Sequence, residues 1–319
     1  MKLHKDKDAF KVLLERISRE TGHREDVLEK DYYVTLILKE LSEFQNDGLP
    51  AYFKGGTALY KALKKTKRFS EDIDLSVDTR DCSRTQNDKR LEKATKQYVS
   101  LERDPQLGIT HRSEVIQVYR YESVTTFDAD DALQRFERVK IEATSFTISE
   151  PVEELEIAAL IYDEAGDDAK AILRDQYDVA PFFIKTISLE RLFVDKLFAA
   201  ESYTRKSDEA GRAFEAAKHI YDLAVMESLP LVEKLIINKS KLNRLIEIRL
   251  EEEKGRLDGI PGVQPGEFIF FDQIISNEKI KHAYHIMQNQ YVLLEVDRIP
   301  FEEAVNKISS LKNELKKMY

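Results

Sequence analysis

A short alternation, Asp72-Ile73-Asp74-Leu75-Ser76-Val77, follows a Lys54-Gly55-Gly56-Thr57 turn after a gap long enough for one helix. Side chains repeat every second residue along a strand, so Ile73, Leu75 and Val77 face one way and Asp72, Asp74 and Ser76 the other. Two neighbouring carboxylates repel each other unless a cation stands between them. Magnesium suits that place, because it takes one or two carboxylates and completes its shell with water and phosphate oxygens. Upstream, residues 51–54 read as a strand running into the glycines. Residues 57–65 read as a helix with Thr57 as its N-cap. Glycine lets the backbone approach a phosphate closely, and a helix N-terminus aims N–H groups at an anion. Alone, a D-x-D pair is commonly a solvated strand face and a Gly-Gly-Thr turn is unremarkable. In this order and spacing they describe a site for a triphosphate and a metal.

A third carboxylate extends the pattern. Val139, Ile141 and Ala143 alternate with Lys140, Glu142 and Thr144, which puts Glu142 on the polar face of a later strand. Asp72, Asp74 and Glu142 together would suit a two-magnesium site for in-line phosphoryl transfer. The bland alternative is an ordinary exposed strand face carrying Lys and Glu. Lys196 falls inside the apolar stripe Leu189, Leu192, Phe193, Leu197 and Ala200, so its ammonium faces a core or a cleft and requires an anion. A nucleoside triphosphate and a structural carboxylate both answer that need. Asp222 stands four residues after Lys218, and a helical ion pair between them is its simplest reading. The run Lys61, Lys64, Lys65, Lys67 and Arg68 is the densest basic patch. Contact with RNA or triphosphate and a solvated helix end are equally open there. His4, His23, His111, His219, His282 and His285 show no zinc-ligand spacing, and no Walker-type loop or G-x-S-x-G elbow is present.

Three- and four-residue apolar spacing predicts two helices over residues 8–46, broken at Thr21-Gly22. A polar helix follows residue 82, and strands are expected over 113–127 and 137–149. From residue 188 the chain reads as helical, over 188–204, 208–227, 230–254, 272–290 and 299–318, with a loop at 259–266. The predicted class is α+β, a sheet flanked by helices and followed by a helical region. The expected domains are a core over 1–183 and a helical domain over 184–319 that completes the active-site cleft. Of the 319 residues, 42% are hydrophobic and 34% charged, without low-complexity tracts, which excludes a disordered chain. The net charge of −9 disfavours a protein whose whole surface grips nucleic acid. A single cysteine, Cys82, charged first residues and the lack of a long apolar run lead us to expect a cytoplasmic protein without a membrane segment.

Phe53-Lys54-Gly55-Gly56-Thr57-Ala58-Leu59, followed by Arg68-Phe69-Ser70-Glu71-Asp72-Ile73-Asp74-Leu75, strongly resembles the AbiEii/AbiGii toxin family of nucleotidyltransferases, members of the DNA polymerase β-like superfamily. Val27-Leu28-Glu29-Lys30-Asp31-Tyr32-Tyr33-Val34 is similar to the family's N-terminal helix, and Lys140-Ile141-Glu142 to its second motif. Leu189 to Leu197 resembles the third motif, with Lys196 as the matching lysine. Lys218 to Leu223 resembles the last, with Asp222 as its aspartate; Lys218-His219 stands where relatives often show Arg-Asp. The resemblance covers residues 27 to 223 and none of 230–319.

The resemblance implies a polymerase β-like fold and a toxin of a type IV toxin–antitoxin or abortive-infection system. It implies transfer of a nucleotide from an NTP to an acceptor, with tRNA 3′ ends as the acceptor class, and a separately encoded antitoxin. On that basis Lys54, Gly55, Gly56, Thr57 and Ser70 are expected to contact nucleotide phosphates. Asp72 and Asp74 are expected to bind magnesium, Glu142 to act as a third metal ligand or as base for the acceptor hydroxyl, Lys196 to neutralise phosphate charge, and Asp222 to orient Lys196 or the nucleotide. The rival readings are nucleotidylation of a protein or small molecule, and a nucleotide-binding module without turnover.

Overall fold

Period-two patterning builds one mixed sheet. The computed structural model describes residues 1–64, 66–111, 113–126, 136–256 and 259–316. Its strands are β1 (Ala51–Lys54), β2 (Ile73–Val77), β3 (Glu102–Thr110), β4 (Glu114–Arg120), β5 (Arg138–Thr144), β6 (Val152–Ile157) and β7 (Phe182–Ile187). Their order is β3-β4-β5-β2-β1-β7-β6. β2 lies antiparallel to β1 and parallel to β5, so the acidic strand is central. Ile73, Leu75 and Val77 are buried with Phe53, Val139, Ile141 and Ala143, which accounts for the apolar half of each alternation.

The chain divides into two compact units, residues 1–63 with 70–187 and residues 64–69 with 188–319. The first holds the sheet with α1 (Lys7–Thr21), α2 (Glu25–Asn46), α3 (Gly55–Leu63), α4 (Arg84–Lys96), α5 (Leu160–Asp163) and α6 (Asp167–Tyr177). Gly22, with φ of 80°, ends α1 in the left-handed conformation that glycine adopts without strain. Helix α2 is buried along most of its length, charged residues included, and each of those charges has a task. Asp31 accepts from Lys61 of α3 and from the Leu160 N–H at 2.5 Å. Lys30 donates to the Arg138 carbonyl and pairs with Glu71 at 3.6 Å. Glu40 accepts the N–H groups of Val99 and Ser100 at 2.8 and 2.9 Å. The helix thereby anchors the segment leading into β2 and the loop before β3.

The second unit holds α7 (Leu189–Arg205), α8 (Arg212–Met226), α9 (Pro230–Ile237), α10 (Lys239–Glu253), α11 (Phe270–Gln273), α12 (Glu278–Tyr291) and α13 (Phe301–Lys316). Helix α8 packs against α7, α12 and α13. Residues 64–69 belong here through backbone bonds: Phe69 N–H donates to the Tyr291 carbonyl at 2.6 Å, and Leu293 N–H to the Lys67 carbonyl at 3.2 Å. Among the described residues, no helix is long and apolar enough to cross a membrane.

The α+β expectation agrees with this architecture, while several local expectations need correction. Helix α3 begins at Gly55, so Thr57 lies inside its first turn and is not the N-cap. The expected helix at 230–254 is two, because the Asn238 side chain caps α10 by accepting from Lys241 N–H. The one at 272–290 is likewise two, with Asn277 capping α12. The strands expected over 113–127 and 137–149 are shorter, and β3, β6 and β7 were not anticipated. Lys65, residue 127 and residues 317–318, which entered those expectations, lie outside the described residues.

Candidate active site

The polar face of β2 is open at one end only. Ser76 is buried and bonded to the Thr147 and Ser149 hydroxyls, both at 2.7 Å. Asp72 and Asp74, toward the start of the strand, are half-buried. The parallel register sets Asp74 beside Glu142 of β5, and the antiparallel register sets Lys54 of β1 on its other side. The sheet thus brings Asp72, Asp74 and Glu142 together on one face. Burial, reinforced by the charges of Glu142 and Asp72, pushes the Asp74 carboxyl up to about 6, against the pull of Lys54 and Lys140.

The glycine turn abuts this face. Gly55 has φ of 80°, a conformation that costs a side chain roughly 1–2 kcal/mol. A Cβ built there would lie 2.8 Å from Cγ of Asp74 and closer still to its Oδ2. Gly55 therefore meets both tests for an obligatory glycine, backbone angle and close approach. The N-terminus of α3 begins at this point, where its first N–H groups lack helical partners. Thr57 is fully buried, and its hydroxyl lies 2.9 Å from Ser70 Oγ and donates to the Asp72 carbonyl at 2.5 Å. Its side chain ties the turn to the acidic strand.

One cation already sits among these carboxylates. Lys140, two residues before Glu142 on the same face of β5, places Nζ 3.0 Å from Asp72 Oδ2 and 3.6 Å from Glu142 Oε2. Burial works against its charge, but Asp72, then Glu142 and Asp74, hold it above the ordinary lysine range. Glu114 of β4 adjoins the cluster; burial, repulsion from Glu142 and a hydrogen bond shared with Glu142 raise its carboxyl. Among the described residues, no three His, Cys, Asp or Glu side chains converge, as they stand, to hold an ion. The donor set nonetheless suits magnesium, since carboxylate oxygens share one face beside open backbone N–H groups and that face already requires positive charge.

Lys196 and Asp222 lie in the second unit and meet there. Lys196 is buried on α7, and its Nζ is 2.7 Å from Asp222 Oδ2 on α8. The same carboxylate receives a bidentate pair from Arg68, Nε at 3.0 Å and Nη2 at 2.8 Å. Burial opposes ionisation of Asp222, but the Arg68 and Lys196 charges and their hydrogen bonds hold it well below the usual carboxylate range. His219, half-buried and stacked on Tyr203 at 5.4 Å, is driven well below the ordinary histidine range by desolvation and by Lys196.

Two readings of charge are corrected here. Lys218 pairs with Glu215 at 2.7 Å, not with Asp222. Among the described residues of the basic run, Lys61 is buried against Asp31 and Arg68 against Asp222, while Lys64 is exposed and Lys67 half-exposed. The residues that sequence reasoning gave no role are Lys140 and Glu114, while Arg68 entered it only as part of the basic run. The alternation of β5 carried the signal for Lys140, which shares the face of Glu142.

No curated protein matches the chain in sequence. Among solved structures, JHP933 from Helicobacter pylori is similar at 15% identity and TM-score 0.47, over 92% of this chain and 94% of that one. MenT4, a nucleotidyltransferase toxin from Mycobacterium tuberculosis H37Rv, is similar at 16% identity and TM-score 0.44, over 94% and 98%. The family described as nucleotidyl transferase AbiEii toxin, type IV TA system, matches residues 37–307. That match spans the glycine turn, the acidic strands and the buried triad alike, and the chain belongs to the AbiEii family of nucleotidyltransferase toxins.

Proposed function

We propose that this toxin-family nucleotidyltransferase transfers a nucleotide from an NTP to an RNA 3′ end, with tRNA as the acceptor class. The acceptor oxygen bonds to the α-phosphorus, the bond from that phosphorus to the bridging oxygen breaks, and pyrophosphate leaves with the electron pair. The hydroxyl proton passes to a carboxylate. The observation that carries this reading is the shared face of Asp72, Asp74 and Glu142 beside the Gly55 turn. Asp72, Asp74 and Glu142 would hold magnesium, two ions in the fullest form, which supplies charge neutralisation on the triphosphate and a more acidic acceptor hydroxyl.

Gly55 and Gly56 present N–H groups to phosphate oxygens, and Lys54 adds charge beside them. Thr57 and Ser70 hold the turn against the acidic strand. Glu142 accepts the acceptor's proton, Lys196 neutralises phosphate charge, and Asp222 orients Lys196. The setting is the cytoplasm, where a separately encoded antitoxin restrains a toxin that blocks growth or aborts phage infection. The resemblance of the quoted motifs supports the acceptor and the partner.

A protein or small-molecule acceptor is the second reading. The burial of Lys61 and Arg68 favours it, because less of the basic run remains for RNA. Purified protein incubated with labelled NTPs, magnesium and either total tRNA or cell protein separates the two. We expect label on tRNA, and a drop of about a thousandfold for Asp72→Ala with an unchanged melting temperature. Label confined to protein would move the acceptor, and equal labelling by Asp72→Ala would remove the mechanism.

A further inference from the structure

The acidic face carries its own counter-ion, on a strand position that no role yet uses. Lys140 and Glu142 are two residues apart and share one side of β5 by strand periodicity. The Lys140 ammonium reaches Asp72 at 3.0 Å and Glu142 at 3.6 Å, so it bridges the two strands that carry the carboxylates. An ammonium donates hydrogen bonds to carboxylates that a metal would take as ligands, and a divalent ion brought beside it meets its positive charge. Among the described residues, no three carboxylates converge on an ion as they stand. The lysine is about one-third exposed, so its long side chain has room to leave without exposing core.

From this arrangement we propose that Lys140 is a resident counter-cation that competes with divalent metal for Asp72 and Glu142, so that the nucleotide-free protein holds metal weakly. The inference rests on the metal-binding role proposed above for those carboxylates. Metal enters by exchange: the two ammonium contacts break as carboxylate–metal contacts form. The displaced ammonium keeps its proton and its charge, and a triphosphate is the anion that then compensates it. Metal and nucleotide accordingly bind with positive coupling. The device keeps the repelling carboxylates compensated between turnovers and withholds a loaded metal site until substrate arrives.

The test is binding of manganese to the nucleotide-free chain, followed by the electron paramagnetic resonance signal of free Mn(II). Lys140→Met removes the charge and keeps the length and apolar bulk. It is expected to bind Mn(II) at least about tenfold more tightly than wild type, because a unit charge 3.0 Å from Asp72 and 3.6 Å from Glu142 is lost at a part-exposed site. Lys140→Arg keeps a cation and is expected to stay weak. Asp72→Asn placed in the Lys140→Met background is expected to abolish the gain, which assigns it to this face. An unchanged or weaker affinity in Lys140→Met, with a wild-type melting curve, overturns the exchange. So does a gain that survives Asp72→Asn. The readout is independent of transfer. A wild-type protein that labels no acceptor while Lys140→Met gains metal would sink the transferase reading and leave the exchange standing; magnesium-dependent labelling without that gain would do the reverse.

Discussion

On the sheet, two carboxylates, Asp72 and Glu142, share one lysine, with Asp74 beside them. In the helical unit the ratio is reversed, and Asp222 alone receives both Arg68 and Lys196. The first cluster is half-exposed and left with surplus negative charge, so its members gain by meeting a cation. The second is buried, and its carboxylate is answered twice, so it is already satisfied. A cluster that still lacks charge gains from a bound cation, whereas a closed one already holds its neighbours in place. Arg68 illustrates the second role. Its backbone bridges Val292, its side chain grips Asp222, and two residues later comes Ser70, the partner of Thr57.

The comparison breaks or holds most clearly at Asp222. Asp222→Ala leaves Arg68 and Lys196 buried without their shared anion, which costs about 3–5 kcal/mol. Asp72→Asn, on the open cluster, relieves repulsion and is expected to shift stability by less than about 1 kcal/mol in either direction. Thermal and urea unfolding of the two variants measure the contrast. If Asp222→Ala melted like wild type, the triad would not be the closed network described.

Gly55→Ala sharpens the contrast from the other side. The methyl group meets Asp74, and the side chain most free to yield is that carboxylate, which turns away from the face. The positive φ adds roughly 1–2 kcal/mol of strain. Transfer is expected to fall about a hundredfold, since a displacement of about 1 Å near the reacting groups has that effect. The loss of folding stability stays small by comparison. A variant with wild-type turnover would show that Asp74 tolerates displacement.

These two clusters differ also in how far the sequence exposes them. The alternation of residues 72–77 is local, and so are the Lys140-Ile141-Glu142 pattern and the glycine turn. Strand periodicity alone therefore puts each carboxylate on a polar face. That β2 pairs with β5 is a long-range event, and with it comes the contact between Lys140 and Asp72, which no spacing reveals. Arg68 lies 154 residues from Asp222 in sequence, and within a lysine-rich run it reads equally as a contact to RNA or triphosphate and as part of a solvated helix end. β3 escaped notice because Pro105 and Gly108 interrupt it and its register shifts between Asp104 and Ile109. β6 is an edge strand with three glutamates at alternate and adjacent positions, so its apolar pattern is thin.

Acid separates the clusters with the smallest effect and the plainest sign. Asp74 sits at about 6, raised by burial and by Glu142 and Asp72, so its proton is the one that a metal must displace near neutrality. Above pH 6 the carboxylate is ionised and metal binding has no proton to release. Below it, each pH unit is expected to weaken manganese binding about tenfold, or about 1.4 kcal/mol. Asp222 moves the opposite way. Its carboxyl, depressed by Arg68 and Lys196, stays ionised well below the range where an unfolded aspartate takes up its proton. The triad's contribution to stability is therefore present above about pH 4 and is lost only as the pH falls further, through the depressed native value. Manganese titrations between pH 5 and 7, run beside urea melts of the same samples, read both. The expected outcome is metal affinity that climbs to a plateau past pH 6 while the triad's share of the unfolding free energy stays level. The Asp222→Ala destabilisation, measured at each pH, isolates that share from other titrating groups. Should it shrink across that range, the carboxylate would be taking up protons there, and two cations would not be holding it ionised.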